Sequence, residues 1–142
     1  MLELRQGERS EMSGLLLDTH SAIWFALADE RLSDTAREAI TREFVEGRAP
    51  AISVISMVEI VYLVEKRRVP ESTFSIMIDL NRAGRLAILP VDMGVVGALA
   101  ALDRRAIPDM PDRIIAATAL CFGVSLVTRD ERIRRSFANV VW

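Results

Sequence analysis

The feature that most constrains the fold of this chain is the alternation of short apolar runs with helix-forming segments. The apolar runs lie at 14–18, 51–54, 86–89, 125–127 and 139–141. The helix-forming segments are 20–28, one that starts at 33, 56–67, 70–82, one that starts at 92, 110–122 and 131–136. Strands that alternate with helices in this way form a parallel sheet with helices on both faces. The sequence therefore predicts an α/β fold, a three-layer sandwich around a parallel sheet of four or five strands.

Length and composition indicate one folded domain with a charged tail in front of it. The chain has 142 residues, of which 51% are hydrophobic, so it can bury a sizeable core in a single unit. Residues 1–13 carry several charged side chains and lack the apolar core of a signal peptide. We therefore expect a tail at 1–13, with Met12 as an alternative start, and a single domain at 14–142.

Charge and cysteine content narrow the environment and the partners. The formal net charge is -2, which excludes a strong general attraction to nucleic acid or to an anionic membrane. Any contact with nucleic acid must then come from a local patch. Cys121 is the only cysteine, so no intramolecular disulfide can form, and a cytoplasmic location is expected. No apolar run reaches the roughly 18 residues that a membrane-spanning helix needs, so we expect no membrane partner.

Four acidic residues lie at points where a strand passes into a helix: Asp18, Glu59, Asp112 and Asp130. Binding sites in open parallel sheets form outside the carboxyl ends of the strands. If the strands next to these acids are neighbours, the carboxylates converge in one cleft. The same arrangement recurs four times, and one common site explains that recurrence better than four unrelated features do.

Each acid also has a simpler interpretation as a helix cap or a turn residue. Asp109 and Asp112 suit the N-cap and N3 positions of the helix at 110–122. Glu59 stands three residues after Ser56, which is the spacing of a capping box. Asp18 can be an ordinary residue at the end of a strand, and Asp130 can cap the helix at 131–136. These alternatives stay open on the sequence alone.

A cluster of carboxylates indicates a particular kind of chemistry. Two like charges about 4 Å apart repel each other by roughly 1 kcal/mol in water and by more at lower dielectric. Such a cluster must hold protons or bind a cation. With oxygen ligands and no set of cysteines and histidines, Mg²⁺ or Mn²⁺ is favoured. One or two such ions support in-line displacement at phosphorus, and this chemistry suits phosphodiester hydrolysis.

Four motifs of the chain resemble, in order and spacing, the four motifs of PIN domains. They are LLLDTH at 15–20, SMVEI at 56–60, PDMPDRIIA at 108–116 and VTRD at 127–130. The resemblance extends from about residue 14 to the end and is strongest to the VapC-type toxins of bacterial toxin–antitoxin pairs. It implies a ribonuclease dependent on Mg²⁺ or Mn²⁺, a homodimer, and an inhibitory antitoxin as partner.

The resemblance also assigns roles to single residues. Asp18, Glu59 and Asp112 match the main acidic site, and Asp130 matches a fourth acid that binds through water or holds a second ion. Asp109 is expected to cap a helix. Other residues beside the acids are candidates for positioning them or for contacting RNA phosphates: Thr19, Arg113, Thr128 and Arg129. A cluster of arginines around the last acid could follow the RNA backbone, and consists of Arg129, Arg132, Arg134 and Arg135.

The predicted function is thus a metal-dependent endoribonuclease that acts as the toxin of a type II toxin–antitoxin pair. The alternative is a non-catalytic regulatory domain that binds metal or RNA on the same scaffold. A receiver-like module would need a lysine near its last strand, but the only lysine, Lys66, lies late in a helix. A small phosphatase is a third option, which activity on a phosphomonoester would reveal.

Overall fold

The computed structural model describes residues 14–142. Within that range its strands are β1 (Leu15–Leu17), β2 (Ala51–Ser53), β3 (Ala87–Leu89), β4 (Ser125–Val127) and β5 (Val140–Val141). Its helices are α1 (Thr19–Ala26), α2 (Asp34–Val45), α3 (Val54–Glu65), α4 (Thr73–Arg82), α5 (Met93–Ala101), α6 (Met110–Phe122) and α7 (Glu131–Ser136). The predictions of a tail at 1–13 and of Met12 as a start lie outside the described residues.

The five strands form one parallel sheet in the order β3-β2-β1-β4-β5. The central strand β1 pairs with β2 on one side and with β4 on the other, so that Leu17 stands opposite Ile52 and Val127. The predicted parallel sheet of four or five strands is therefore confirmed. Because all strands run in one direction, their carboxyl ends lie along a single edge.

Helices cover both faces of the sheet. Side chains alternate between the two faces along a strand, and Leu16 and Leu17 accordingly belong to different hydrophobic clusters. Leu17 packs in a cluster with residues of α1 to α4, whereas Leu16 packs with residues of α6 and α7. Helix α5 lies against α6. The molecule is thus the three-layer sandwich that the sequence predicts. No helix within residues 14–142 is both long and apolar enough to cross a membrane.

Several predicted boundaries shift by one to three residues, for local reasons. The first helix was expected to reach residue 28, but it ends at Ala26 because Ala28 takes a left-handed conformation with φ 52°. The helix expected from Pro70 begins at Thr73. In the intervening turn, the Pro70 carbonyl accepts hydrogen bonds from the backbone N–H of Thr73 at 3.0 Å and from its hydroxyl at 2.7 Å.

Helix α3 follows β2 with no loop between them, which differs from the predicted start at Ser56. Ser53 is the last residue of β2 and also the N-cap of α3, where its hydroxyl accepts from the backbone N–H of Ile55 at 3.1 Å. Ser56 is therefore a fully buried residue inside the helix. This shift of the helix start changes the interpretation of Glu59.

A buried acid ties the start of β1 to α2. Glu43 is 7% exposed, and its carboxylate accepts hydrogen bonds from the backbone N–H of Gly14 at 3.0 Å and from two guanidinium nitrogens of Arg48 at 2.9 and 3.0 Å. Burial by itself raises the pKa of Glu43, but the bonds from Arg48 and Gly14 outweigh it, and the pKa lies below its usual value.

Replacing Glu43 with glutamine should destabilise the protein by roughly 1.5–3 kcal/mol at neutral pH, because charge-assisted bonds are lost from a buried group. The pKa of Glu43 is lower in the folded state than in the unfolded chain. The stabilisation is therefore complete above the unfolded-state pKa and is lost as the pH falls through the folded-state value. Urea denaturation of the wild type and of Glu43→Gln, at acidic and neutral pH, measures the difference in the free energy of unfolding.

The matched control is Glu38→Gln, which makes the same change at an exposed position of α2. It should alter the free energy of unfolding by less than about 0.5 kcal/mol at any pH. A Glu43→Gln protein as stable as this control at neutral pH would show that Glu43 does not anchor β1.

Candidate active site

The four predicted acids lie along the carboxyl edge of the three neighbouring strands β2, β1 and β4. Asp18 directly follows β1, and Asp130 lies three residues after the end of β4. Glu59 is in the second turn of α3, which continues from β2, and Asp112 is in the first turn of α6. All four line one cleft of about 390 Å³, here called the acidic cleft, together with Thr19, His20, Trp24, Asp109 and Arg129. The structure thus brings the four acids together.

Three acids at the cleft are also helix N-caps. The simpler interpretation predicted this for Asp109 and Asp130, whereas it treated Asp18 as an ordinary residue at the end of a strand. Asp18 Oδ1 accepts from the backbone N–H of Ser21 at 2.8 Å, and Asp109 Oδ2 accepts from that of Asp112 at 3.1 Å. Asp130 Oδ1 accepts from the N–H groups that open α7, at 2.8 and 3.2 Å. Each cap uses one carboxylate oxygen, and the other oxygen accepts no hydrogen bond from a residue that the structure describes. Capping and cation binding are therefore compatible in the same side chain.

The capping-box interpretation of Glu59 is wrong, because α3 begins at Val54 and not after Ser56. Glu59 Oε1 instead accepts a hydrogen bond from the hydroxyl of Thr19 at 2.5 Å. The Thr19 oxygen also lies 2.9 Å from the hydroxyl of Ser56. Thr19 has a single hydroxyl proton, so Ser56 donates in this second contact. The chain Ser56–Thr19–Glu59 fixes the orientation of a half-buried carboxylate at the cleft.

Burial and neighbouring negative charges raise the pKa of two of the acids, Asp112 and Glu59. The pKa of Asp112 is raised to about 7, first by burial and then by the negative charges of four neighbours, Asp109, Asp130, Glu59 and Asp18. Burial likewise raises the pKa of Glu59, against the opposing effect of the hydrogen bond from Thr19. The acidic cleft therefore holds more negative charge than its surroundings stabilise. Protons or a cation relieve this repulsion.

The residues present fit a hard divalent cation in their chemistry. Every acidic group of the cleft offers carboxylate oxygens, which are the ligands that Mg²⁺ and Mn²⁺ prefer. As the side chains stand in residues 14–142, no three His, Cys, Asp or Glu groups are close enough to hold one ion. An ion would have to draw the carboxylates inwards by rotation of their side chains. The exposed side chains of Asp109 and Asp130 and the half-buried one of Asp18 leave room for this.

Of the predicted substrate contacts, only Arg129 has a charged group at the cleft. Arg129 is exposed, and its guanidinium lies over the Trp24 ring at 4.7 Å from the ring centroid. Thr19 is buried and bonded to Glu59. Thr128 is fully buried, and its hydroxyl accepts from the backbone N–H of Asp130 at 3.0 Å. The hydroxyls of the two threonines are therefore engaged in positioning acids.

The prediction that Arg113 meets a phosphate finds no support in the structure. Its guanidinium points away from the acidic cleft and donates to the carbonyls of Leu99 at 3.0 Å and Leu102 at 3.3 Å. These carbonyls lie at the end of α5, where a helix leaves its last carbonyls without partners of its own. Arg113 thus joins α6 to α5, and its side chain is committed to that task.

Trp24 is a cleft residue that the sequence pattern did not identify. It is 4% exposed and lines the acidic cleft, and the guanidinium groups of Arg129 and Arg31 both lie over its ring. His20 also lines the cleft, and its ring centroid is 5.8 Å from that of Trp24. The two residues are four apart on α1 and share one face of that helix. Their positions, two and six residues after Asp18 on the same helix, are the signal that could have located them.

A protein-family model matches most of this chain. The PIN domain model matches residues 15–137. Ribonuclease VapC22 of Mycobacterium tuberculosis is 31% identical over 123 residues, and the match covers 87% of this chain and 92% of that protein. The matched span of the family model contains all four acids.

Solved structures with the same fold include a toxin–antitoxin complex. VapBC2 from Rickettsia felis, bound to a promoter DNA fragment, has a TM-score of 0.65 at 21% identity and covers 87% of this chain and 92% of its own. A toxin–antitoxin complex from Klebsiella pneumoniae has a TM-score of 0.61 at 25% identity, with coverage of 90% and 96%. FitAB bound to the IR36 DNA fragment has a TM-score of 0.61 at 23% identity, with coverage of 89% and 92%. Sequence, fold and site therefore agree, and this chain is a member of the PIN-domain family, of the VapC type.

Proposed function

We propose that this protein is a divalent-metal-dependent endoribonuclease and the toxin of a toxin–antitoxin pair. The observation that carries the proposal is the convergence of four carboxylates from separate elements in one cleft, with the pKa of Asp112 raised to about 7 by burial and by its neighbours. A fold rarely gathers uncompensated charge without a use for it. RNA is the substrate that the relative Ribonuclease VapC22 supports by its name.

Asp18, Glu59 and Asp112 are the residues that would hold Mg²⁺ or Mn²⁺, and Asp130 would assist or hold a second ion. When bound, the ion lowers the pKa of water and stabilises the charge that develops in an in-line displacement at phosphorus. Thr19 keeps the Glu59 carboxylate turned towards the cleft, and Asp109 fixes the first turn of α6 and with it the position of Asp112. Arg129 presents a positive charge to the RNA backbone at the same cleft.

Two protein partners belong to the proposal. The structural relative from Klebsiella pneumoniae is a toxin–antitoxin complex, and this supports a cognate antitoxin here. A homodimer is supported by an exposed apolar face on α3, which consists of Val54, Val58, Val61 and Tyr62. We place the activity in the cytoplasm, where RNA and an antitoxin would both be present.

Replacing Asp112 with asparagine should lower RNA cleavage by a factor on the order of 100 or more. The substitution removes a ligand charge, and several kcal/mol of charge stabilisation depend on the ion being held. A mixed pool of structured RNAs, incubated with Mg²⁺ or Mn²⁺ and with EDTA, measures cleavage. Asp79→Asn is the control. It makes the same chemical change at an exposed position of α4 that does not line the acidic cleft.

Full cleavage by a folded Asp112→Asn protein would contradict the assignment of the site. Measurable metal binding with no cleavage under any condition would instead favour the alternative of a non-catalytic metal- or RNA-binding domain. Cleavage of a small phosphomonoester but not of RNA would identify a phosphatase.

The same substitution should make the metal-free protein more stable at alkaline pH. The pKa of Asp112 is raised to about 7 in the folded state from 3.8, so the folded protein holds a proton that the unfolded chain has lost in this interval. Wild-type stability therefore falls as the pH rises from about 4 to above 7, and asparagine removes that loss. Denaturation in EDTA at several pH values tests this. Equal stability of the two proteins at every pH would mean that Asp112 is not under this repulsion.

Replacing Thr19 with valine keeps the side-chain shape but removes the hydroxyl that orients Glu59. We expect the affinity for Mn²⁺ to fall about tenfold or more, because a ligand loses its supporting hydrogen bond. Calorimetric titration with Mn²⁺ and the metal dependence of cleavage measure the effect. Thr19→Ser retains the hydroxyl and should bind Mn²⁺ as the wild type does. A Thr19→Val protein with wild-type affinity would refute the positioning role of Thr19.

A further inference from the structure

The acids of the site separate two cavities, not one. Beside the acidic cleft lies a smaller cavity of about 160 Å³, here called the side cavity, lined by Ile107, Pro108, Asp109, Asp112, Asp130, Arg132 and Ile133. Asp109, Asp112 and Asp130 line both cavities. The shared acids therefore form a ridge, with an open space on either side of it.

Each cavity contains one arginine. Among the described residues that line the acidic cleft, Arg129 is the only arginine or lysine. Among those that line the side cavity, Arg132 is the only one. The two residues flank Asp130, one directly before it and one two positions after it. Arg132 is held in place at its backbone, where its N–H donates to Asp130 Oδ1 at 2.8 Å.

Neither guanidinium is neutralised by a carboxylate. Within residues 14–142, ion pairs occupy Arg31, Arg37, Arg48 and Arg135, but not Arg129 or Arg132. Arg129 lies on the face of Trp24, which holds it at the cleft without consuming its charge. Both side chains are exposed. They can therefore still bind an anion.

We propose that Arg129 and Arg132 bind two RNA phosphates, one on each side of the phosphate that reacts. This inference rests on the proposed function of the acidic cleft. A phosphodiester chain that crosses the ridge of acids places one neighbouring phosphate above Trp24 and another above Ile133. Guanidinium groups suit phosphate oxygens in charge and geometry. The arginines also offset the repulsion between the acids and the incoming backbone, so that RNA can approach the ridge.

The test is equilibrium binding of a labelled single-stranded oligoribonucleotide of mixed sequence, measured at several salt concentrations. The Asp112→Asn protein with Mn²⁺ serves as the background, so that the RNA stays intact. Arg129→Ala and Arg132→Ala should each weaken binding roughly fivefold at low salt. Each should also reduce the slope of log affinity against log salt by about 0.7, the value for one phosphate contact on a single strand. The double variant should lose about twice that slope.

Two control variants remove the same charge elsewhere. Arg82→Ala changes an exposed arginine at the end of α4 that lines neither cavity. The guanidinium of Arg31 lies 5.3 Å from the centroid of the Trp24 ring, but Arg31 does not line the acidic cleft. Arg31→Ala therefore removes a charge from Trp24 without removing one from the cleft lining. Both controls should leave the salt slope unchanged. In proteins with Asp112 intact, Arg129→Ala and Arg132→Ala should raise KM for RNA more than they lower kcat.

If Arg129→Ala and Arg132→Ala bind RNA with the same slope as Arg82→Ala while the wild type cleaves RNA, the inference is overturned and the proposed function stands. If only one of the two arginines changes the slope, the proposed crossing of the ridge is wrong. If the wild type neither binds nor cleaves RNA, the proposed function and this inference fall together.

Discussion

The repulsion among carboxylates at one edge of the sheet is the constraint on which the rest of this structure depends. The order β2-β1-β4 brings the segments that carry Asp18, Glu59 and Asp130 side by side, and α6 brings Asp112 to them. Burial and four neighbouring charges raise the pKa of Asp112 to about 7. Such an arrangement is unfavourable in isolation, so the surrounding backbone must hold the acids where they are.

The backbone holds them by giving the acids a structural task as well. Asp18, Asp109 and Asp130 each begin a helix, and a helix start needs an acceptor for its unpaired N–H groups. The same contacts therefore fold the chain and fix one oxygen of each acid. Asparagine also caps helices well, whereas alanine does not. A substitution to asparagine thus separates the loss of charge from the loss of the cap, which a substitution to alanine cannot do.

The fold could be predicted largely from local patterns. Short apolar runs that alternate with helix-forming segments are sufficient to specify a parallel sheet between two layers of helices, and the motif order identified the family. Helix starts were less certain, because a cap depends on three-dimensional context as well as on spacing. The sequence pattern predicts the start of α3 at Ser56, whereas Ser53 is the N-cap and Ser56 is buried inside the helix, where its hydroxyl contacts Thr19.

The site was predicted as a set of acids, but not as a set of contacts. Asp18, Glu59 and Asp130 could be found from their positions after a strand, and Asp112 from its position in the first turn of a helix, since these positions follow from local sequence. The hydrogen bond from Thr19 to Glu59 joins residues 40 positions apart, and the bond from Arg113 to the Leu99 carbonyl depends on how α5 meets α6. Contacts of this kind arise from packing between elements. A sequence without related sequences beside it contains no direct record of them.

The position of Trp24 has an optical consequence. The chain contains two tryptophans, and the ring centroids of Trp24 and Trp142 lie 5.9 Å apart. All of the indole emission of this protein therefore originates at one place, beside the acidic cleft and in contact with Arg129. A guanidinium that leaves the Trp24 ring to meet an anion changes the polarity around that ring. The molecule thus contains its own fluorescent reporter of cleft occupancy, and ligand binding can be followed without a label.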